Sequence, residues 1–225
     1  RDLWDLPVKT CIKQIFLDLD GPLLDGKERH YRCYKDILEL HGFLPLPLEE
    51  YWERKRSLLN RRDLLNLSGA GIIYNSFLDH WLAKIEASEM LALDKVQDGA
   101  LECLRNWKEQ GIALYLVTLR KNILGLYTQL ANTGLQEFLD AVFACDHSQG
   151  GEGKAAAVRS LLDDASSQSA LWIGDTEVDW TAAKLLGCTV VLISNGLRSE
   201  SFLTSLEGAS VKASINDLGD LTHVA

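Results

Sequence analysis

Short apolar runs alternate with amphipathic stretches along most of the chain. Lys13 to Leu17, Ile112 to Val117, Ala141 to Ala144, Ala170 to Ile173 and Thr189 to Ile193 are short, continuous and partly β-branched or aromatic. Such runs predict strands covered on both faces, and hence a parallel sheet. Val211 begins a weaker last strand. Between the runs lie helical patterns. Residues 98–110 place Leu101, Leu104 and Trp107 on one face and stop at Gly111. Residues 124–133 stop at Gly134, 154–162 carry Ala157, Val158, Leu161 and Leu162, and 177–186 stop at Gly187. Glycine just past a helix is the usual stop signal. Strand and helix in alternation predict βαβ units and an α/β sandwich.

One stretch breaks the alternation. Residues 27–93 contain no convincing strand. Tyr31, Tyr34, Ile37, Leu38 and His41 fall at helical spacing, and 48–67 and 72–91 also read as helices. The segment Leu44-Pro45-Leu46-Pro47-Leu48 punctuates the first two. The expectation is a helical lobe inserted after the first strand, giving one domain from 1–26 and 94–225 and a second from 27–93.

Composition narrows the classes. Of the 225 residues, 47% are apolar and 24% charged, which suits a folded chain with a sizeable core rather than a disordered one. The net charge of −9 argues against nonspecific nucleic-acid or anionic-membrane binding. No run of 18 apolar residues is present, and Arg1 to Thr10 hold no secretory leader core. Cys11, Cys33, Cys103, Cys145 and Cys188 are odd in number and form no CxxC pair. Free thiols in a reducing compartment, and so a cytoplasmic location, are expected.

Two acidic clusters follow predicted strands. Asp18 and Asp20 end the first one in Leu17-Asp18-Leu19-Asp20-Gly21, and residues two apart on a strand share a side. Two carboxylates about 4 Å apart repel by roughly 4 kcal/mol even at an effective dielectric near 20, so such a pair usually holds a cation or a proton. Solvation of a strand end is the plain alternative. The second cluster is Gly174-Asp175-Thr176-Glu177-Val178-Asp179, where Gly174 permits a close approach. Ordinary helix capping by Asp175 or Thr176 is the competing reading there. Ligands of parallel sheets bind beyond the carboxyl ends of the strands, where both clusters fall. Four carboxylates meeting there would suit Mg²⁺. Thr118, ending the next strand, and Lys154, after Gly150-Gly151-Glu152-Gly153, occupy equivalent places.

With these motifs assembled, the chain resembles the haloacid dehalogenase-like hydrolase superfamily, and within it the phosphoglycolate-phosphatase-like members. Asp18-Leu19-Asp20-Gly21-Pro22-Leu23-Leu24-Asp25 is similar to the first motif, Asp-x-Asp-Gly-Thr-Leu-x-Asp. Thr118, Lys154 and the Gly174 to Asp179 segment match the second, third and fourth in order. The resemblance implies a Rossmann-like core with an α-helical cap at 27–93. It departs at Pro22, where Thr or Val is usual, and at Ala155-Ala156 after the lysine. Lys121 is a rival for the phosphate-binding lysine.

The resemblance implies a Mg²⁺-dependent phosphatase for a small phosphorylated metabolite. Asp18 would be the nucleophile and Asp20 the acid and base, with Thr118 and Lys154 completing the catalytic set. Gly21, Thr118, Leu119 and Lys154 would hold the phosphate. Asp18, Asp20 (through its carbonyl), Asp175 and Asp179 would hold the metal. An acid two residues after the nucleophile favours phosphoryl transfer over dehalogenation. A sugar phosphomutase and a non-catalytic phosphate-binding module stay open, as do a monomer and a homodimer. Arg54, Arg61 and Arg62 are candidates for substrate selection, against a solvated face balanced by Glu49, Glu50 and Glu53.

Overall fold

The computed structural model describes residues 11–163 and 166–218. The expectation of no leader in Arg1 to Thr10 lies outside the described residues. The chain runs β1 (Gln14–Leu17), β2 (Leu24–Asp25), α1 (Lys27–Leu40), α2 (Leu48–Arg56), α3 (Arg61–Leu67), α4 (Tyr74–Lys84) and α5 (Ser88–Leu91). It continues through β3 (Lys95–Val96), α6 (Ala100–Glu109), β4 (Ala113–Thr118), α7 (Ile123–Thr133), β5 (Ala141–Ala144) and α8 (Gly150–Val158). The last elements are β6 (Ala170–Gly174), α9 (Glu177–Leu186), β7 (Thr189–Ile193), α10 (Glu200–Thr204) and β8 (Ser210–Lys212).

Six strands form one parallel sheet in the order β5-β4-β1-β6-β7-β8. Strand alternation sorts the core into two layers. Ile15, Leu17, Leu114, Leu116, Leu171 and Ile173 face α6 and α7, where Trp107, Leu126 and Leu130 are buried. Phe16, Val117, Ala170 and Trp172 face α8 and α9, where Val158, Ala182, Ala183 and Leu186 are buried. Phe16 stacks between Tyr115 at 5.5 Å and Trp172 at 5.4 Å. The result is the expected Rossmann-like sheet between helical layers. No described helix is long and apolar enough to cross a membrane.

β1 is central because the chain crosses to one side of it for β4 and to the other for β6. Leu17 is registered with both Leu116 and Ile173. The carboxyl ends of β1, β4 and β6 therefore lie side by side, at the switch point where ligands bind in open α/β sheets.

Helices α1 to α5 bury an apolar cluster of their own, including Cys33, Tyr34, Leu38, Tyr51, Leu65, Phe77 and Trp81. The patterning read 48–67 and 72–91 as single helices, and each is broken. The first breaks at Leu58, whose φ of 65° is left-handed and incompatible with continuing the helix. The second breaks at Ala87, which is extended at ψ 150°. The two-residue strands β2 and β3 were not foreseen. They pair antiparallel where the chain leaves for this helical segment and where it returns. Two residues are too short to produce a period.

Candidate active site

Asp18 follows β1, and its backbone N–H donates to the Ile173 carbonyl at 2.9 Å, extending the β1–β6 ladder by one step. Its Oδ1 accepts from the Lys154 ammonium at 2.9 Å. The same Nζ donates to Asp179 Oδ1 at 2.8 Å. Lys154 is fully buried on α8. Burial depresses its pKa, but Asp179 and Asp18 outweigh that and raise it above the ordinary lysine value. Lys154, not Lys121, thus reaches Asp18. Lys121 is exposed, and its backbone N–H donates to Glu86.

Asp175 and Asp179 are both fully buried. Asp179 is held at the start of α9. Its Oδ2 accepts from the Thr176 hydroxyl at 2.9 Å and from the Asp175 and Thr176 N–H groups at 3.3 Å. Trp172 Nε1 also donates to its Oδ1, at 3.3 Å. The capping reading therefore holds for Thr176, the N-cap of α9, and Asp179 completes its capping box while lying beside Asp18 and Asp175. Gly174 is required here, because a Cβ on it would lie 2.1 Å from Asp179 Cγ. Gly21 has a φ of +97°, and a Cβ there would lie 2.3 Å from Asp175 Cγ.

Asp18, Asp175 and Asp179 can place one oxygen each within 4.8 Å of one another. Three buried carboxylates and one ammonium leave two negative charges in a low-dielectric place. Burial, opposed in part by Lys154, pushes Asp18 up to about 7. Burial with Asp18 and Asp179 nearby pushes Asp175 well above the carboxylate range. Asp175 Oδ2 accepts from the Leu197 N–H at 2.6 Å, but Oδ1 is buried without a hydrogen-bond partner. An all-oxygen donor set, a two-charge deficit and an orphaned carboxylate oxygen fit a hard divalent cation.

The Asp20 carboxylate is engaged differently. Arg120 grips it with two bonds, Nε to Oδ2 and Nη2 to Oδ1, both 2.7 Å. Arg29, from α1, pairs with the same Oδ1. Burial pushes Asp20 up, but Arg120 and Arg29 win and hold it well below the ordinary range. Asp94 braces both arginines, accepting from Arg29 Nε at 2.8 Å and Arg120 Nη2 at 3.2 Å. Sequence reasoning missed Arg29, Arg120 and Asp94. Arg120 stood two residues past Thr118 at a strand end, and that position was the available signal. Nothing local marks Arg29 or Asp94, which are 65 residues apart.

Pro22 lies in the turn after Asp20. The N–H groups of Gly21, Leu23 and Leu24 close that turn, donating to Leu24 and Leu19 carbonyls. Proline occupies the position between them and withdraws no bond from the turn.

A cleft of about 470 Å³ lies above these strand ends, and Asp18, Asp20, Thr118, Leu119 and Lys154 line it. Arg61 also reaches it, exposed and stacked over Trp81 at 5.2 Å. Arg54 and Arg62 are not brought there. Arg54 pairs with Glu50 at 3.9 Å, and Arg62 stacks on Tyr74 at 4.0 Å.

A sheet with its acidic cluster and buried lysine at the switch point defines a class of hydrolase. The family model for haloacid dehalogenase-like hydrolases matches residues 12–187, and the chain belongs to that family. It is 23% identical over 219 residues to a phosphoglycolate phosphatase of Rhodobacter capsulatus, covering 93% of this chain and 95% of that one. Among solved structures, a haloacid dehalogenase-like hydrolase from Streptococcus pneumoniae superposes with a TM-score of 0.71 at 17% identity, covering 92% and 96% of the two chains. Protein Tyrosine Kinase A of Mycobacterium tuberculosis superposes with a TM-score of 0.73 at 18% identity, covering 95% and 99%.

Proposed function

We propose that this chain is a Mg²⁺-dependent phosphomonoesterase, phosphoglycolate-phosphatase-like, acting on small phosphorylated metabolites through an aspartyl-phosphate. The observation that carries the reading is the convergence of Asp18, Lys154, Asp175 and Asp179 at the strand ends, with Asp18 and Lys154 lining the cleft and Asp175 Oδ1 lacking a partner.

Asp18 attacks phosphorus, the ester oxygen leaves, and a phosphorus–oxygen bond to the Asp18 carboxylate forms. Lys154 and Thr118 hold phosphoryl oxygens and stabilise charge in the transition state. Asp20, kept ionised by its arginines, takes a proton from the water that then cleaves the aspartyl-phosphate. Before that base step Asp20 protonates the leaving alcohol, which requires that it release an arginine and take up a proton from solvent, and Arg29 is the one carried on the helical segment; the carboxylate left ionised is then the base for the water. Asp18, Asp175 and Asp179, with the Asp20 carbonyl, would hold Mg²⁺. When bound, it neutralises the approach of a dianionic phosphate to a carboxylate. Residues 27–93 act as the cap over a core formed by 1–26 and 94–225, closing over the cleft and selecting the leaving group.

Phosphate release from p-nitrophenyl phosphate and a panel of phosphorylated metabolites tests the reading, with Mg²⁺, with EDTA and with Asp18→Asn. Metal-dependent release abolished by Asp18→Asn is expected. Turnover by Asp18→Asn equal to that of the unaltered chain would refute it, and return of the phosphoryl group to a sugar phosphate would identify a phosphomutase instead.

A further inference from the structure

The helical segment encloses a second cavity, of about 220 Å³, whose walls include Tyr51, Phe77 and Trp81. Arg61 and Arg198 line both this cavity and the strand-end cleft, so the two spaces adjoin. Lys55, Arg61 and Arg198 line the cavity, and no carboxylate residue does. Of the other basic residues of the segment, Arg56 donates to the Ser194 and Arg198 carbonyls and Arg62 stacks on Tyr74. Lys27, Arg29, Arg32, Lys35, Arg54 and Lys84 all have carboxylate partners. Arg198 has Glu177 at 2.7 Å. Lys55 and Arg61 have no ion-pair partner among the described residues and share one indole, Lys55 Nζ lying 5.4 Å from the Trp81 ring centre. Burial and the neighbouring Arg61 and Arg198 push Lys55 down to about 7. Leu58, in the left-handed region at φ 65°, lines the same cavity. Backbone held in that region by a non-glycine residue gathers at ligand sites.

We infer that the leaving group of the substrate carries a ring-sized apolar body and a second anionic group, with the body against Trp81, Phe77 and Tyr51 and the anion beside Lys55 and Arg61. This inference rests on the phosphatase reading for the position of the phosphate and deepens it. The size agrees, since a cavity of about 150 Å³ accepts benzene, and the additional volume here accommodates a carboxylate. The charge agrees, because an anion supplies what two clustered, partnerless cations lack. An aliphatic two-carbon ester would leave the aromatic wall unfilled.

The test compares 4-carboxyphenyl phosphate, phenyl phosphate and 2-phosphoglycolate as substrates, with isothermal titration of the product 4-hydroxybenzoate as a readout independent of turnover. The expected kcat/KM for the carboxyphenyl ester exceeds that for the phenyl ester at least tenfold. Lys55→Met should collapse that ratio towards one and weaken 4-hydroxybenzoate binding at least tenfold. Lys35→Met, which removes a charge paired with Glu39 elsewhere on the segment, should leave both unchanged. Trp81→Leu should lower kcat/KM for both aryl esters relative to phosphoglycolate. Equal kcat/KM for the two aryl esters, or a ratio untouched by Lys55→Met, overturns the inference while leaving the phosphatase reading standing. Preference for phosphoglycolate over both does the same. No turnover of any ester, with 4-hydroxybenzoate binding that depends on Lys55, overturns the phosphatase reading and supports the cavity.

Discussion

Lys154→Met removes the only ammonium that pairs with the acidic triad among the described residues and keeps most of the side-chain volume. At 2.8 and 2.9 Å from Asp179 and Asp18, each attraction is about 6 kcal/mol gross at an effective dielectric near 20. Desolvation of the three charges offsets most of it. What remains on deletion is the penalty for stranding buried carboxylates, about 3–5 kcal/mol. That is a large fraction of the roughly 5–15 kcal/mol that holds a typical domain folded. Urea unfolding in EDTA at neutral pH measures it. A double-mutant cycle with Asp179→Asn isolates the pair, with an expected coupling of about 1–3 kcal/mol. Mg²⁺ should recover more stability in Lys154→Met than in the unaltered chain, because the triad then lacks its internal cation. Turnover should fall by a factor of about 10²–10³, the usual effect of removing one donor to a developing oxyanion. A loss below about 1 kcal/mol in EDTA, or strict additivity with Asp179→Asn, would refute the reasoning.

Two further predictions concern ion pairs away from the triad. Arg120→Met leaves Asp94, whose side chain is fully buried, with Arg29 and Gln129 as its side-chain partners. A loss of about 3 kcal/mol or more is expected by urea unfolding, and Arg120→Lys should not restore it, because the two bonds to Asp20 need the guanidinium fork. Asp36 joins α1 to α4 through Lys84 at 2.8 Å and also pairs with Arg32. Burial is the largest single influence and raises its pKa, but Lys84 and Arg32 together outweigh it and hold it below 3.8. A carboxyl depressed in the folded state contributes stability above its unfolded pKa and loses it as pH falls through the folded value. The stability difference between the unaltered chain and Asp36→Asn should therefore be constant near neutrality and shrink as pH falls below the ordinary carboxylate range, as followed by urea midpoints.

Periodicity and turn chemistry were enough for the sheet and most core helices, but the helix read at 154–162 is α8 at Gly150–Val158, because the glycine-rich stretch before Lys154 forms its first turn instead of a loop. The predicted runs at 13–17, 112–117, 141–144, 170–173 and 189–193 coincide with β1, β4, β5, β6 and β7 to within a residue at most ends. Strands buried on both faces leave an unambiguous apolar signature, and Gly134 and Gly187 stop their helices in the left-handed conformation. The helical segment was legible as helix but not in its breaks, since Leu58 is neither glycine nor proline and carries no local signal for its left-handed backbone. The acidic clusters were legible because carboxylates at strand ends are costly without a purpose.

The sequence by itself determined the residue types at the ends of β1, β4 and β6, because each motif is contiguous and local backbone geometry fixes where it points. It could not determine which distant charges meet. Arg29, Arg120 and Asp94 converge on Asp20 across separations of up to 100 residues. The aromatic cavity beside Lys55 likewise draws on four stretches of chain. Tertiary structure decided these, because the energy of a buried charge depends on what burial brings within a few ångströms of it, and chain order carries no such distance.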